Sequence, residues 1–202
     1  MNALELLLSR DSALKLTEPG PSEDELAIMY RSALRAPDHG RLRPWHFVTV
    51  QFDKREAFGD VMAEALRRRQ SDASAEMLQR ERDKAMRAPL IVVVAARIDR
   101  DRKIPPIEQI ASAAAAAQNI MLAAHAQGYG AMWKTGASAY DGGVKQALGL
   151  LAQDEIIAFI YLGTRIGATS DAARPAVDDH VSSWQGNDHK RLDLYRSDER
   201  SV

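Results

Sequence analysis

The sequence contains no cysteine among its 202 residues. This absence excludes disulfide bonds, thiol catalysis, iron–sulfur clusters and cysteine-ligated zinc. No apolar run approaches the roughly 18 residues needed to span a bilayer, so we expect no membrane partner. The N-terminal stretch MNALELLLSR is acidic at Glu5 and has no cleavage site, so it does not resemble a signal peptide. We therefore expect a cytoplasmic protein.

An excess of positive charge is also missing. The chain has 27 Lys and Arg residues against 28 Asp and Glu residues, a formal net charge of -1. Nucleic-acid binders normally show a basic excess, so we expect no nucleic-acid partner. The local run at 67–69 is followed by acids at Asp72 and Glu76, which is typical of a solvated helix face.

Familiar catalytic motifs are absent too: there is no GxGxxG, Walker loop, GxSxG or HEXXH. None of the five histidines pairs with another at metal-ligand spacing, so we predict no metal site. The spacing of serine, histidine and aspartate residues alone does not exclude a serine hydrolase, although no serine lies in a recognisable nucleophile-elbow motif. We predict no catalytic side chain, because a chain this poor in reactive groups fits chemistry carried by a bound cofactor.

Helical and strand patterns alternate along the chain, with helix dominant, and this predicts an α+β fold with a mixed sheet under helices. Capping boxes at Asn2 and Ser22 mark two helix starts. Continuous apolar runs mark two strands that are buried on both faces. The predicted helices are 2–8, 22–36, two within 54–87, 107–127 and 142–149; the predicted strands are 46–52, 90–96, 131–133 and 156–163.

The helix over 107–127 carries five consecutive alanines at 113–117. Alanine favours helix, and an all-small face also lets another helix approach closely. Two interpretations follow: a core helix under the sheet, or a close helix contact across a dimer axis. We predict one domain over residues 1–185 and a polar, disordered tail over 186–202.

The loop APDHGRLRPWHF, residues 36–47, concentrates unusual chemistry before the first strand. It holds two arginines, a histidine and a tryptophan. Arginine binds planar anions, and histidine and tryptophan offer flat faces and N–H donors. The loop therefore predicts a flat, anionic ligand.

Six short motifs occur in an order that resembles the FMN-dependent nitroreductase family, in its short bacterial YdjA-type subgroup. The similarity extends from about residue 2 to residue 184. Each motif is weak alone, and their common order and spacing make the resemblance strong. The motifs are Arg10-x-Ser12, Arg35-Ala-Pro-Asp-His39, Pro44-Trp45-His46-Phe47, the stretch 118–130, Trp133-Lys134-Thr135-Gly136 and Tyr161-Leu162-Gly163-Thr164.

The resemblance implies a nitroreductase-like fold, with a mixed central sheet flanked by helices, in an intertwined homodimer that binds FMN at the subunit interface. It also implies that NADH or NADPH reduces the FMN, which then passes two electrons to a nitroaromatic, a quinone or a similar acceptor. Members of the family release the first product before the second substrate binds, which is a ping-pong cycle.

By the family pattern, Arg10 and Ser12 hold the FMN phosphate or ribityl chain, because a guanidinium and a hydroxyl supply donors to phosphate oxygens. Without the family pattern, Arg10 is interpreted as a cation that interacts with the dipole at a helix C-terminus. Asp11 belongs to the same predicted cofactor-binding motif and departs from it, because relatives often carry a second basic residue there. An acid beside a phosphate is unfavourable, so Asp11 must point away or contribute its backbone only.

Arg35 and His39 match positions that contact FMN from the partner subunit; alone, they read as a helix cap and a turn residue. Trp133, Lys134 and Thr135 match a segment that contacts the flavin; alone, they read as a strand end with an exposed lysine. We expect the charged stretch 65–85 and the loop 99–107 to shape the pocket above the flavin.

Several positions that match or depart from the family pattern have no single assigned role. Arg43 reads either as a cation near the flavin pyrimidine or as a contact for the nicotinamide dinucleotide phosphate, and Arg41 has no assigned role. The stretch 123–128 matches a nicotinamide-cofactor segment but is expected to be buried helix. Arg165 stands where the family usually has proline, and Arg174 is a further phosphate candidate.

Three other functions share these residues. One is a non-catalytic FMN-binding or redox-sensing flavoprotein. Another is a cofactor-free interaction module built on the alanine-rich helix. The third is an enzyme on the same scaffold that carries out reductive dehalogenation or flavin destruction.

Overall fold

The computed structural model describes residues 2–51, 53–169, 174–185 and 188–191. Two compact units are present, Met1–Thr169 and Ser170–Val202. The first contains one sheet and six α-helices, which are α1 Ala3–Ser9, α2 Glu23–Ala33, α3 Lys54–Arg69, α4 Ala75–Ala85, α5 Pro106–Ala126 and α6 Gly142–Ala147. Each predicted helix is present, with ends shifted by a few residues.

The sheet holds five strands in the order β1-β5-β3-β2, with β4 also paired to β5. Its strands are β1 Leu16–Thr17, β2 Trp45–Gln51, β3 Leu90–Ala96, β4 Gly130–Lys134 and β5 Glu155–Arg165. The expected mixed sheet differs in one respect, because every ladder between these described strands is antiparallel. The long helix α5 connects β3 to β4, and β5 lies between them and runs antiparallel to both.

Helices cover both faces of the sheet, so β3 is buried at all seven positions, as its continuous apolar sequence predicts. Alternate β3 side chains enter different cores. Val92 and Val94 join α2 and α5 in the first core cluster. Ile91 and Val93 join α3, α4 and α6 in the second core cluster. Side chains alternate between the two faces of a strand with a period of 2, and they return to one face of a helix with a period of 3.6. These periods place the strand and helix side chains of each cluster in the same core.

The alanine-rich helix α5 lies under the sheet. Ala113, Ala116, Ala117 and Ala124 are fully buried, and small side chains there allow α5 to approach β3 and α2 closely. The core-helix interpretation of the alanine run is therefore confirmed for this face.

The second unit contains a short 3-10 turn and the antiparallel pair β6 Ser182–Gln185 and β7 Asp188–Arg191. The expected boundary at residue 185 falls inside this pair. Side-chain composition led to the expectation of a disordered tail from 186, whereas strand pairing depends on backbone hydrogen bonds that polar residues also make. The rest of the predicted tail, 186–187 and 192–202, lies outside the described residues.

Candidate functional site

The N-terminal motif forms an extended segment at residues 10–13, where the chain leaves α1; it is here called the Arg10 turn. It begins where α1 ends, and its residues alternate between half-buried and buried. The Ala13 N–H donates to the Ala131 carbonyl of β4 over 2.9 Å, and the Ile166 N–H donates to the Lys15 carbonyl over 3.0 Å. The Arg10 turn is thereby held beside β4 and the end of β5.

The side chain of Asp11 is engaged by Arg165. The guanidinium donates through both terminal nitrogens to both carboxylate oxygens, with Nη1 to Oδ2 at 3.1 Å. Side-chain exposure is 5% for Asp11 and 18% for Arg165, so the pair is largely buried. The carboxylate faces Arg165.

Two adjoining cavities lie next to the Arg10 turn and share Arg87, Lys134 and Tyr161; together they are called the Lys134 trough. The first has a volume of about 220 Å³, and the second about 160 Å³. Thr135 lines the first cavity, and Ala13 lines the second. The structure therefore brings Ala13 of the Arg10 turn close to the predicted Lys134–Thr135 segment, and Arg10, Asp11 and Ser12 are not among the residues that line either cavity.

The Lys134 trough carries more positive than negative charge. Arg69, Lys84, Arg87 and Lys134 line its first cavity, against a single lining carboxylate, Glu81. Lys84 pairs with Glu81, and Arg69 lies 3.4 Å from an oxygen of Asp141, which leaves Arg87 and Lys134 as the cationic excess. Such a surface suits an anionic or electron-rich ligand.

The cations Lys84 and Arg87 were not predicted as site residues. Lys84 lies in α4 and Arg87 follows it, and the whole of α4 falls within the charged stretch 65–85 that is expected to shape the pocket. The sequence pattern of this stretch is that of a solvated helix face. Its position over β4 and β5 is set by tertiary packing, which the local pattern does not encode.

Trp133 lies on the opposite side of the sheet from the trough. It packs against the first core cluster, whereas its neighbours Met132 and Lys134 line the second cavity. Strand alternation is the reason, because successive side chains point to opposite faces. The expectation that Trp133 lines the pocket floor is therefore not realised within one protomer.

His39 lies far from the trough, whereas Arg35 lies beside the middle of α5, between Ser32 and Pro37, whose carbonyls accept hydrogen bonds from Asn119 and Ser112. His39 is exposed, and its Nδ1 lies 2.5 Å from Oε2 of Glu108, near the start of α5. The Arg10 turn lies at the other end of α5, where the Ser9 hydroxyl is 3.0 Å from Nε2 of His125. Positions 108 and 125 are seventeen residues apart, or about 26 Å along a helix. One protomer does not bring His39 to the Arg10 turn.

The loop arginines Arg41 and Arg43 adopt left-handed backbone conformations, with φ of 55° and 52°. The Arg43 N–H donates to Oδ2 of Asp38 over 2.8 Å, which stabilises this strained turn. Arg43 also borders a cavity of about 900 Å³ that contains none of the predicted cofactor-binding residues. Three arginines and three aspartates line that cavity, so its charges balance, and the trough is the better candidate site.

The described residues offer neither of two other kinds of site. No group of three or more His, Asp or Glu side chains is placed to hold a metal ion. No described helix has the length and apolar character that a membrane crossing requires. Arg174, the further phosphate candidate, belongs to the second unit.

Tyr161 gives the trough a measurable pH signature. Burial raises the pKa of its phenol from 10.0 to about 12, with a smaller lowering by Arg87 and a raising by Glu81. The folded state therefore retains the Tyr161 proton at pH values where the unfolded chain loses it. We expect about 2–3 kcal/mol of stability to be lost between pH 10 and pH 12 from this group.

Tyr161→Phe removes the contribution of the Tyr161 phenol to the pH dependence of stability. Denaturant unfolding of the variant should show a free energy of unfolding that falls less steeply with pH between pH 10 and pH 12 than that of the parent. Equal slopes for the two proteins would contradict the assignment.

Comparison with known proteins places this geometry in a family. The family model described as "Nitroreductase family" matches residues 8–164. The protein named "Putative NAD(P)H nitroreductase YdjA" from Escherichia coli K12 is 40% identical over 164 residues, which cover 81% of this chain and 88% of that protein.

Two solved structures show the same fold. A nitroreductase-like family protein from Bacillus cereus superposes with a TM-score of 0.79 at 23% identity, covering 92% of this chain and 97% of its own. A nitroreductase with bound FMN from Bacteroides fragilis gives a TM-score of 0.69 at 18% identity, with coverage of 92% and 100%. The expected family and its α+β fold are confirmed: the chain belongs to the nitroreductase family.

Proposed function

We propose that this protein is an FMN-dependent oxidoreductase that takes electrons from NADH or NADPH and passes them to a small acceptor such as a nitroaromatic or a quinone. The observation that carries the proposal is the cationic Lys134 trough beside the Arg10 turn. The name of the Escherichia coli relative supports NAD(P)H as the donor, and the FMN in the Bacteroides fragilis structure supports the cofactor.

The residues at the trough fit a flavin mononucleotide. Arg10 and Ser12 are half-buried in the Arg10 turn, and a guanidinium with a hydroxyl supplies charge-assisted donors for a phosphate. Lys84, Arg87 and Lys134 would hold the pyrimidine side of the ring, whose carbonyl oxygens accept hydrogen bonds. A bound FMN would supply the transfer of two electrons from the nicotinamide to the acceptor.

The chain's own contribution is positioning and electrostatics. Cations near the pyrimidine favour the electron-rich, reduced form of a flavin and so raise its potential. The trough walls hold the ring in place, so that a nicotinamide or an acceptor can stack on it. No described side chain is required as an acid or base for this transfer. We propose that donor and acceptor use the same face in turn, which is a ping-pong cycle.

A complete site needs a second copy of the chain. His39, which the resemblance assigns to FMN contact from the partner subunit, lies near the far end of α5 from the Arg10 turn. The first helix exposes Leu4, Leu7 and Leu8 at 70%, 57% and 79%. Helix α1 has no buried residue, and an apolar face of this kind marks an interaction surface. We propose a homodimer that covers this face and brings Arg35 and His39 to the partner's trough.

A visible spectrum of the purified protein, recorded without air and with each nicotinamide nucleotide, tests the proposal. We expect a yellow protein whose flavin absorbance disappears with NADH or NADPH and returns when a quinone is added. Yellow protein that does not bleach would indicate an FMN-storing or redox-sensing flavoprotein instead. Colourless protein that takes up no added FMN would contradict any flavin function.

A further inference from the structure

The Arg10 turn is held from three sides. Its backbone is bonded to β4 through Ala13, the following residues pair with β5 as strand β1, and the buried carboxylate of Asp11 is held by Arg165. The first two contacts fix residues 13–17. The ion pair is a contact at the centre of the turn, between Arg10 and Ser12.

The burial pattern shows what this contact does to its neighbours. Residues 10–13 read half-buried, buried, half-buried, buried. In an extended chain, adjacent side chains point to opposite sides. An Asp11 side chain drawn inward to Arg165 therefore turns the side chains of Arg10 and Ser12 the other way. The bidentate hydrogen bonds also fix the orientation of the Asp11 carboxylate, because a guanidinium and a carboxylate pair best in one plane.

We propose that Asp11 and Arg165 are positioning residues for phosphate recognition: their buried ion pair sets the orientation in which Arg10 and Ser12 meet the phosphate of FMN. This inference rests on the proposed function. It assigns Asp11 an indirect part in cofactor binding, with no contact between its carboxylate and the ligand, and it assigns Arg165 a part in a site that its position in β5 does not suggest.

The proposal predicts a specific pattern of affinities. Riboflavin shares the ring and ribityl chain of FMN and lacks the phosphate. A loosened Arg10 turn should therefore weaken FMN binding by about tenfold, by analogy with the loss of other groups that orient ligand-binding residues. Riboflavin binding should be unchanged. A contact that only stabilised the fold would affect both ligands equally.

The experiment uses a neutral double variant, Asp11→Asn with Arg165→Met. Removing one partner of a buried ion pair leaves an uncompensated charge and destabilises strongly, whereas removing both charges is often close to neutral. The double variant should therefore melt closer to the parent than Asp11→Asn alone. Fluorescence titration of the apoprotein with FMN and with riboflavin gives the two affinities, and we expect the preference for FMN to fall about tenfold.

A control removes a second ion pair, in which Lys145 is buried and Glu155 is 39% exposed. Lys145 is 9% exposed and lies 3.0 Å from Glu155, in a part of the fold that does not line the trough. Lys145→Met with Glu155→Gln should lower stability and leave the preference for FMN over riboflavin at the parental value. If the Asp11 double variant fails to fold, Arg165→Lys keeps the charge and loses the bidentate hydrogen bonds, and it should show a smaller fall in the same preference.

The outcomes separate this inference from the proposed function. If the parent binds neither flavin, the proposed function fails. If the parent binds FMN, and the folded variants keep the parental preference for FMN over riboflavin, the positioning role is overturned while the flavin function stands.

Discussion

Replacing Arg10 by alanine is expected to weaken FMN binding by roughly 10- to 100-fold, with little effect on folding. The reason is the loss of charge-assisted hydrogen bonds to the phosphate, each of which contributes about 1.5–3 kcal/mol. Arg10 is half-buried at the end of α1, outside both core clusters, so the variant should unfold near the parental temperature. Quenching of flavin fluorescence measures the affinity, and thermal unfolding of the apoprotein measures the fold.

The control for Arg10→Ala is Arg102→Ala. Arg102 is 67% exposed in a surface ion pair with Asp99, and such pairs contribute little to stability. This substitution also removes one positive charge, so it corrects for a general loss of attraction toward an anion. Equal FMN affinities in Arg10→Ala, Arg102→Ala and the parent would remove Arg10 from the site.

The fold could be predicted from the sequence because its elements carry strong local signals. The Asn2 and Ser22 capping boxes are both present, with the Glu5 N–H donating to Asn2 over 2.9 Å and the Glu25 N–H donating to Ser22 over 3.4 Å. The apolar run of β3 is buried along its whole length. Such signals depend on residues within a few positions of one another, which is the range over which a sequence pattern is informative.

Only part of the candidate site could be predicted from the sequence. The remaining part depends on contacts between residues that are far apart in the chain. Asp11 and Arg165 are separated by 154 positions, and no periodicity links them. The resemblance marks both positions as departures from the family pattern, and the structure pairs them. Lys84 and Arg87 face the trough through the packing of α3 and α4 on the sheet. The sequence shows that both residues are charged, but it does not show that they face the trough.

The proposed homodimer leads to the second large expected effect. Arg10→Ala and His39→Ala should each bind FMN weakly as homodimers, because each removes a group from both composite sites. Unfolding the two variants together and refolding them as a mixture should restore binding. In a mixed dimer, one site combines both defects and the other combines an intact Arg10 turn with an intact His39.

Random assortment makes about half of the dimers mixed, so about a quarter of all sites should be intact. Titration with FMN measures that fraction as a tight class of sites in the mixture, and each variant refolded alone serves as its control. The rescue depends on geometry: if Arg10 and His39 of the same protomer served one site, every chain in the mixture would carry a defect, and no tight sites would form. That result, or a parent protein that is monomeric with FMN bound, would contradict the composite site. A separation of about 26 Å along α5 within one protomer is the reason to expect the rescue.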